Sequence, residues 1–368
     1  MLKRGGVLMI RKLMAISLIV FLLGIGIVGC TTAEKKDDKI ETKTEEKNEA
    51  KKPEKAKLTY VEPGRYLIKL PILLADAKGY FKEEGLDVDV KIAPSQKAFE
   101  ALIAGESDFI AVSYGSQMKI NQQGKKVQSV CNITSNCLFH LVAFSDIKSI
   151  ENLKGKRIGV PKVGEEVTAV IRAALKKKGL DPDKDVKWIP VGIQGTMIAA
   201  MKNHEVDAVG AVGEWRDHLL RAVPDTHVVV DYSKQSDLKE YLGAETYPLA
   251  HVQLTSEFIE KNPETTQRIV NAVMKSLQFI NTHTPEECID VVKDKYWADA
   301  DRDVLVKYLT EIKGAFSPNG ITSKEGYDVV VRVNNGSGLL DLPAPAFEEI
   351  TNLEFVKKAD KVLGIEIK

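Results

Sequence analysis

An excess of charge of either sign is missing from this chain. Its 368 residues carry 52 Lys+Arg against 52 Asp+Glu, which argues against a nucleic-acid binder, because such domains show a basic excess. Cysteine is scarce: four residues exclude a disulfide-dense scaffold. Histidine is equally thin, six residues scattered along the chain, and no H-E-x-x-H, P-loop or G-x-S-x-G pattern occurs, so the usual signatures of metalloproteases, nucleotide hydrolases and α/β-hydrolases are absent. Hydrophobic content of 44% and charged content of 28% are ordinary globular values. They exclude a wholly disordered, collagen-like or polytopic membrane protein. At roughly 150 residues per domain, the length accommodates two domains with extras.

What is present begins at the N-terminus. Lys3, Arg4, Arg11 and Lys12 precede an 18-residue run without charge, Leu13 to Cys30. A basic region followed by an apolar stretch is a secretory signal; a span of this length also just suffices for a transmembrane anchor. The run ends Ile27-Val28-Gly29-Cys30. Small or apolar residues directly before a Cys resemble a bacterial lipobox, in which the Cys is lipidated and becomes the first mature residue. Residues 1–29 are therefore expected to be a signal peptide and Cys30 the lipidation site. Gly24-x-Gly26-x-x-Gly29 lies inside this run and precedes no βαβ unit, so it is no dinucleotide site. Residues 31–57 hold nine Lys and eight Asp/Glu with Ile40 the one large apolar residue. Such a stretch cannot bury enough surface to offset chain entropy, and residues 30–57 read as a charged flexible tether.

The rest alternates. Short β-patterned runs (58–61, 86–92, 108–112, 127–131, 138–144, 157–160, 186–190, 206–212, 228–231, 250–254) are separated by helical segments, and from Ser256 the pattern is nearly all helical. This predicts an α/β fold of mostly parallel sheets with helices on both faces.

Four stretches carry a family resemblance. Leu73-Leu74-Ala75-Asp76-Ala77-Lys78-Gly79-Tyr80-Phe81-Lys82-Glu83-Glu84-Gly85-Leu86-Asp87-Val88, Ala104-Gly105-Glu106-Ser107-Asp108-Phe109, Asn152-Leu153-Lys154-Gly155-Lys156-Arg157-Ile158-Gly159-Val160-Pro161 and Val206-Asp207-Ala208-Val209 resemble, in order and spacing, the landmarks of extracytoplasmic solute-binding proteins of ABC importers. The branch resembled is the nitrate, sulfonate, taurine and thiamine-precursor type. The resemblance implies a two-lobed type II periplasmic-binding-protein fold joined by a two-strand hinge near 140–145 and 248–254. Lobe one would comprise residues 58–142 plus 252–368, and lobe two 143–251. It also implies a small-molecule solute, a permease with its ATPase, a membrane association through the lipid anchor, a monomer, no cofactor and no chemistry on the solute. The alternatives are an enzyme on the same fold, such as a pyrimidine- or menaquinone-pathway relative, and a sensory receptor subunit.

In open parallel sheets, ligands bind at the carboxyl ends of strands, where helix N-termini point. Four strand-to-helix junctions meet that description: Glu62 to Tyr66, Ser113 to Gln117, Pro161 to Glu166 and Gly213 to Arg216. From them, Tyr66, Ser113, Tyr114, Ser116, Lys162, Glu165, Glu166, Glu214 and Trp215 are the candidate ligand-binding residues. The plainer readings are an N-cap for Ser113 or Ser116, a helix-dipole complement for the glutamates and core packing for Tyr66 and Trp215. The family carries a small hydroxyl residue where Glu165-Glu166 stand, and Trp-Glu-Pro where Gly213-Glu214-Trp215 stand. These departures favour a neutral or cationic heteroaromatic solute over an oxyanion, while Lys69, Lys162 and Arg216 keep an anion possible.

Cys131 and Cys137 flank a five-residue loop, leaving open a disulfide or two buried thiols. Adding His140 gives an incomplete metal set, so no metal is expected. Asp299-Ala-Asp301-Arg-Asp303 opens like an EF-hand loop but has Val304 at the sixth position, so it reads as a helix start.

Overall fold

The computed structural model describes residues 54–62, 64, 66–93 and 95–364. The apolar run, Cys30 and the charged stretch up to residue 53 lie outside the described residues. The described residues form ten strands: β1 (Lys57–Glu62), β2 (Asp87–Ile92), β3 (Phe109–Ser113), β4 (Val127–Thr134), β5 (Phe139–Phe144), β6 (Arg157–Val160), β7 (Lys187–Pro190), β8 (Ala208–Val212), β9 (Thr226–Asp231) and β10 (Ala250–Thr255).

They pair into two five-stranded sheets of matching topology, β2-β1-β3-β10-β4 and β7-β6-β8-β5-β9. In each sheet the fourth position is reversed. β10 runs antiparallel to β3 and β4, and β5 runs antiparallel to β8 and β9. The remaining pairs, β1 with β2 and β3, and β6 with β7 and β8, are parallel. The two reversed strands are those by which the chain arrives from the other sheet, through residues 135–138 into β5 and 243–249 into β10.

The crossings therefore lie earlier than the sequence placed them. β5 pairs along its length with β8 and β9, so the expected division at 142/143 falls inside a strand of the second sheet. The division at 251/252 likewise falls inside β10, a strand of the first. Cys137, Leu138, Tyr247 and Leu249 in the crossings are as buried as strand residues, so apolar patterning does not distinguish connector from strand. Contacts to the folded body also begin before residue 58. The Thr265 N–H donates to Glu54 at 2.7 Å, Lys55 pairs with Asp108 at 2.7 Å, and Lys57 opens β1.

Local chemistry sets the helix ends. Leu70–Lys78 has Pro71 in its first turn and stops at Gly79, whose φ of 79° suits glycine. Thr284 and Glu287 form a reciprocal capping box on Pro285–Tyr296. Asp301 accepts from the N–H groups of Asp303 and Val304 at the start of Arg302–Ile312, so the EF-hand-like stretch is a helix cap. The C-terminal segment returns to the first sheet, where Thr351 bridges Ser129 and Phe316 bridges Thr134 on β4. On the second sheet, helix Glu166–Lys177 lies close against β8: a Cβ on Gly210 would stand 2.7 Å from the Ile171 side chain.

Candidate functional site

The carboxyl ends of the strands bring together groups from both sheets. Tyr60 and Glu62 sit two apart on β1 and share a face. The Tyr60 hydroxyl donates to Glu62 Oε2 at 2.5 Å. Glu62 is fully buried, and its Oε1 has no hydrogen-bond partner. Lys69, buried at the end of the turn Leu67–Lys69, lies within electrostatic reach of Glu62 and Glu166. From the second sheet, Glu214 accepts the Leu67 N–H at 3.0 Å and is itself 2% exposed.

Burial dominates the ionisation of this patch. Loss of water pushes Glu62 up to about 8, against the pull of Lys69 and Tyr60. Burial likewise raises Glu214 to about 7, although backbone N–H groups oppose it. Burial depresses Lys69 to about 8 against the attraction of Glu62 and Glu166. His251, on β10, is lowered to about 3 by burial and by Lys69. The patch can hold or release protons near neutrality, and an entering charge would decide which.

Beside it, Tyr66 and Trp215 pack ring against ring across the sheets, centroids 5.2 Å apart and tilted by 43°. Trp215 is 6% exposed and Tyr66 half-buried. Gly213, standing where the family carries Trp, has φ +59° and donates its N–H to Leu138 at 2.9 Å. It makes the left-handed turn from β8 into helix Trp215–Ala222 that a side chain would strain.

Glu166 is the first residue of its helix and is buried. Its Oε1 accepts the Tyr247 hydroxyl at 2.6 Å and the Asn334 amide at 3.4 Å, and it also faces the Ser113 hydroxyl and the Gly115 N–H. Glu165, half-buried at the N-cap, is raised by burial against the pull of Lys162. It lines a groove of about 270 Å³ with Lys119, Val163, Thr168 and Leu339.

The other sequence-predicted residues divide. Ser113 and Ser116 bond to each other at 2.8 Å. Tyr114 is fully buried: its hydroxyl is hydrogen-bonded to Thr351 and its ring stacks on His251 at 4.3 Å, so it is engaged within the first-sheet core. Lys162 is exposed, and its carbonyl accepts from Thr168. Arg216, one of the groups kept as an anion partner, is held by Asp217 at 2.7 Å, Asp231 at 3.2 Å and Glu311. His140 belongs to the same network, 2.9 Å from Asp231 and 3.0 Å from the Tyr308 hydroxyl.

The possible disulfide is not formed. Cys131 and Cys137 are free, buried thiols. Cys131 lies on β4 against the Met274 sulfur at 3.9 Å, while Cys137 lies in the first crossing. Burial pushes both thiols far up. Among the described residues no cluster of His, Cys, Asp and Glu is placed to hold a metal.

Glu62 opens the first junction but is not among the nine candidate ligand-binding residues, and Lys69 was singled out only as a possible anion partner. Tyr247 and Asn334 left no local signal, because they meet Glu166 across 81 and 168 residues of chain.

Residues 69–288 match the family model described as NMT1/THI5 like. The chain belongs to the NMT1/THI5-like family. Among its relatives is the Bacillus subtilis (strain 168) protein named "Putative binding protein YtlA", 25% identical over 298 residues, 78% of this chain and 85% of that protein. Another is the Saccharomyces cerevisiae (strain ATCC 204508 / S288c) 4-amino-5-hydroxymethyl-2-methylpyrimidine phosphate synthase THI13, 23% identical over 236 residues. That match covers 57% of this chain and 63% of the synthase, under two thirds of its length. In structure, the chain is similar to the periplasmic nitrate-binding protein NrtA of Synechocystis PCC 6803, with a TM-score of 0.69 at 14% identity, over 85% of this chain and 90% of that one. This likeness establishes the type II periplasmic-binding-protein fold. No described helix is long and apolar enough to cross a membrane.

Proposed function

We propose that this protein is a lipid-anchored, extracytoplasmic substrate-binding component of an ABC importer. It holds one small solute between its two lobes and passes it to a membrane permease driven by a separate ATPase. The observation that carries this reading is the convergence of Glu62 and Lys69 from the first sheet with Glu214 and Trp215 from the second, at strand ends where open α/β sheets hold their ligands. The name of the Bacillus subtilis relative, a putative binding protein, supports binding. The anchor rests on the basic start, the apolar run and Cys30.

The patch favours a neutral or cationic ring rich in N–H donors. Glu62 and Glu214 offer acceptors, and Tyr66 and Trp215 offer stacking faces. A cation would draw both carboxyls into their ionised forms and release protons. An oxyanion would have to keep both carboxyls protonated, since an ionised one about 5 Å away costs on the order of 3 kcal/mol at an effective dielectric of about 20, and Arg216 is already engaged. Mass spectrometry of the solute co-purified with the exported protein identifies the class. Calorimetry in two buffers of different ionisation enthalpy should show proton release; tight binding of nitrate or a sulfonate without proton exchange would overturn the charge reading.

The likeness to the yeast synthase favours one alternative, an enzyme on the same fold. Recovery of the solute unchanged after long incubation with the protein separates carriage from chemistry.

A further inference from the structure

Helix Arg302–Ile312 belongs to the C-terminal segment and is tied to the first lobe. Arg302 pairs with Asp290 at 2.7 Å. The helix that carries Asp290 is bound in turn, through Lys295 and the Tyr296 hydroxyl, to Asp76 in helix Leu70–Lys78. Lys307, Tyr308 and Glu311 share one face of Arg302–Ile312, because Glu311 stands four and three positions after the other two. That face meets the second lobe. Lys307 lies 3.6 Å from Asp217, the Tyr308 hydroxyl lies 3.0 Å from His140 Nε2, and Glu311 pairs with Arg216. The Arg216 guanidinium also sits over the Tyr308 ring at 5.0 Å. At the cap of the same helix, Asp301 pairs with Arg221 at 2.5 Å. One helix of the first lobe is thus held by polar contacts along helix Trp215–Ala222 of the second.

The seam can part without stranding a buried charge. Arg216 and Asp217 are buried, but they pair with each other at 2.7 Å, and Arg216 keeps Asp231 at 3.2 Å, all within the second lobe. Asp231 also lies 2.9 Å from His140 Nδ1. The charged groups that lose their only named partner across the seam, Asp301, Lys307, Glu311 and Arg221, are all exposed, so water takes the partner's place. Exposed ion pairs contribute little each and weaken with salt, whereas a buried charge that loses its partner is strongly destabilising. The buried pairs stay inside one lobe, and the weak pairs cross between lobes. We propose that this seam is an ionic latch on the cleft: it favours the closed arrangement of the lobes, releases when they part, and is weakened by salt. The inference rests on the two-lobed reading of the proposed function but on no particular solute. Where solute is held by the closed arrangement, its apparent affinity follows the closed fraction. Glu311 and Arg221 thereby tune capture without touching the solute.

The test measures lobe separation directly, with KCl as the probe and no solute added. Spin labels at Asp89→Cys on β2 and Lys187→Cys on β7 report the distance between the outer edge strands of the two sheets. The background is the Cys30→Ser protein, whose other thiols are buried. At about 0.05 M KCl, Glu311→Ala with Arg221→Ala should raise the ratio of long to short distances roughly two- to fivefold, as expected from losing two exposed pairs. Raising KCl to about 1 M should do the same to the protein with an intact seam and add little to the double variant. Glu257→Ala with Lys261→Ala removes an exposed pair inside one helix of the first lobe and should change nothing. A distance distribution unmoved by Glu311→Ala with Arg221→Ala would overturn the proposal, because helix Arg302–Ile312 would then be detaching locally while the lobes stay where they are. A salt response of equal size in the intact and double-variant proteins would overturn it as well, because other charges would then hold the lobes. Either failure leaves the importer reading to be decided separately by the co-purified solute.

Discussion

The Leu67 N–H donates to the Glu214 carboxylate at 3.0 Å, and the two residues follow strands of different sheets. Leu67 opens the turn that carries Lys69, while Glu214 precedes the helix that carries Trp215 and Arg216. One hydrogen bond thus ties the two halves of the candidate site at its buried centre, with the Tyr66–Trp215 ring pair beside it.

Removing that acceptor should be felt in stability. Glu214→Ala leaves a buried N–H unpaired, and a loss of about 1–3 kcal/mol is expected in urea unfolding at pH 7. Glu214→Gln keeps an acceptor and removes a costly buried charge, so it should cost less, and above pH 7 it should be neutral or stabilising. Equal losses for the two variants would contradict the role given to the Leu67 bond.

Glu62 and Lys69 should shape the pH profile in two windows. Glu62 is raised from 4.5 to about 8, so between those values the folded state holds a proton that the unfolded state has released. Stability therefore falls as pH rises through this window. Lys69 is lowered from 10.5 to about 8, so between 8 and 10.5 the unfolded state holds the extra proton and stability rises with pH. The pair's contribution should pass through a minimum near pH 8. Glu62→Gln should flatten the lower limb and Lys69→Met the upper one, each by roughly 1–3 kcal/mol at its extreme. Chemical denaturation from pH 4.5 to 10.5 checks this; limbs that persist in both variants would assign the profile to other groups.

The thiols should be silent until the fold opens. Cys131, Cys137 and Cys288 are buried and free, with all three pKa values pushed up by burial. A thiol reagent should label none of them in the native protein and all three in denaturant without prior reduction. A Cys131–Cys137 cross-linked peptide in a non-reduced digest would contradict this.

Cys30→Ser should release the protein from the membrane fraction or leave it unprocessed. Membrane-extracted protein whose intact mass shows no lipid and an uncleaved 1–29 segment would remove the anchor from the proposed function.

Much of this molecule was legible along the chain because short-range physics wrote it there. Strand alternation at 87–92, the stop at Gly79 and the Asp301 cap depend on residues a few positions apart. The ordered series of such elements was enough to infer an α/β fold, and the family resemblance added its division into two lobes. The four strand-to-helix junctions were equally visible, and Tyr66, Glu214 and Trp215 do come together there.

What only the tertiary structure decided was which polar groups find partners. Sequence spacing treats Arg216 as a free cation, but folding surrounds it with Asp217, Asp231 and Glu311. Sequence sets Tyr114 at a loop where a ring could face solute, yet helix Tyr114–Gln122 turns it onto His251 and Thr351. Glu166 reads as a repulsive charge at a helix start until Tyr247 and Asn334, distant in the chain, supply its donors. Local patterning records burial and turn geometry. The pairing of buried charges depends on contacts between distant segments, and no period in the sequence encodes them.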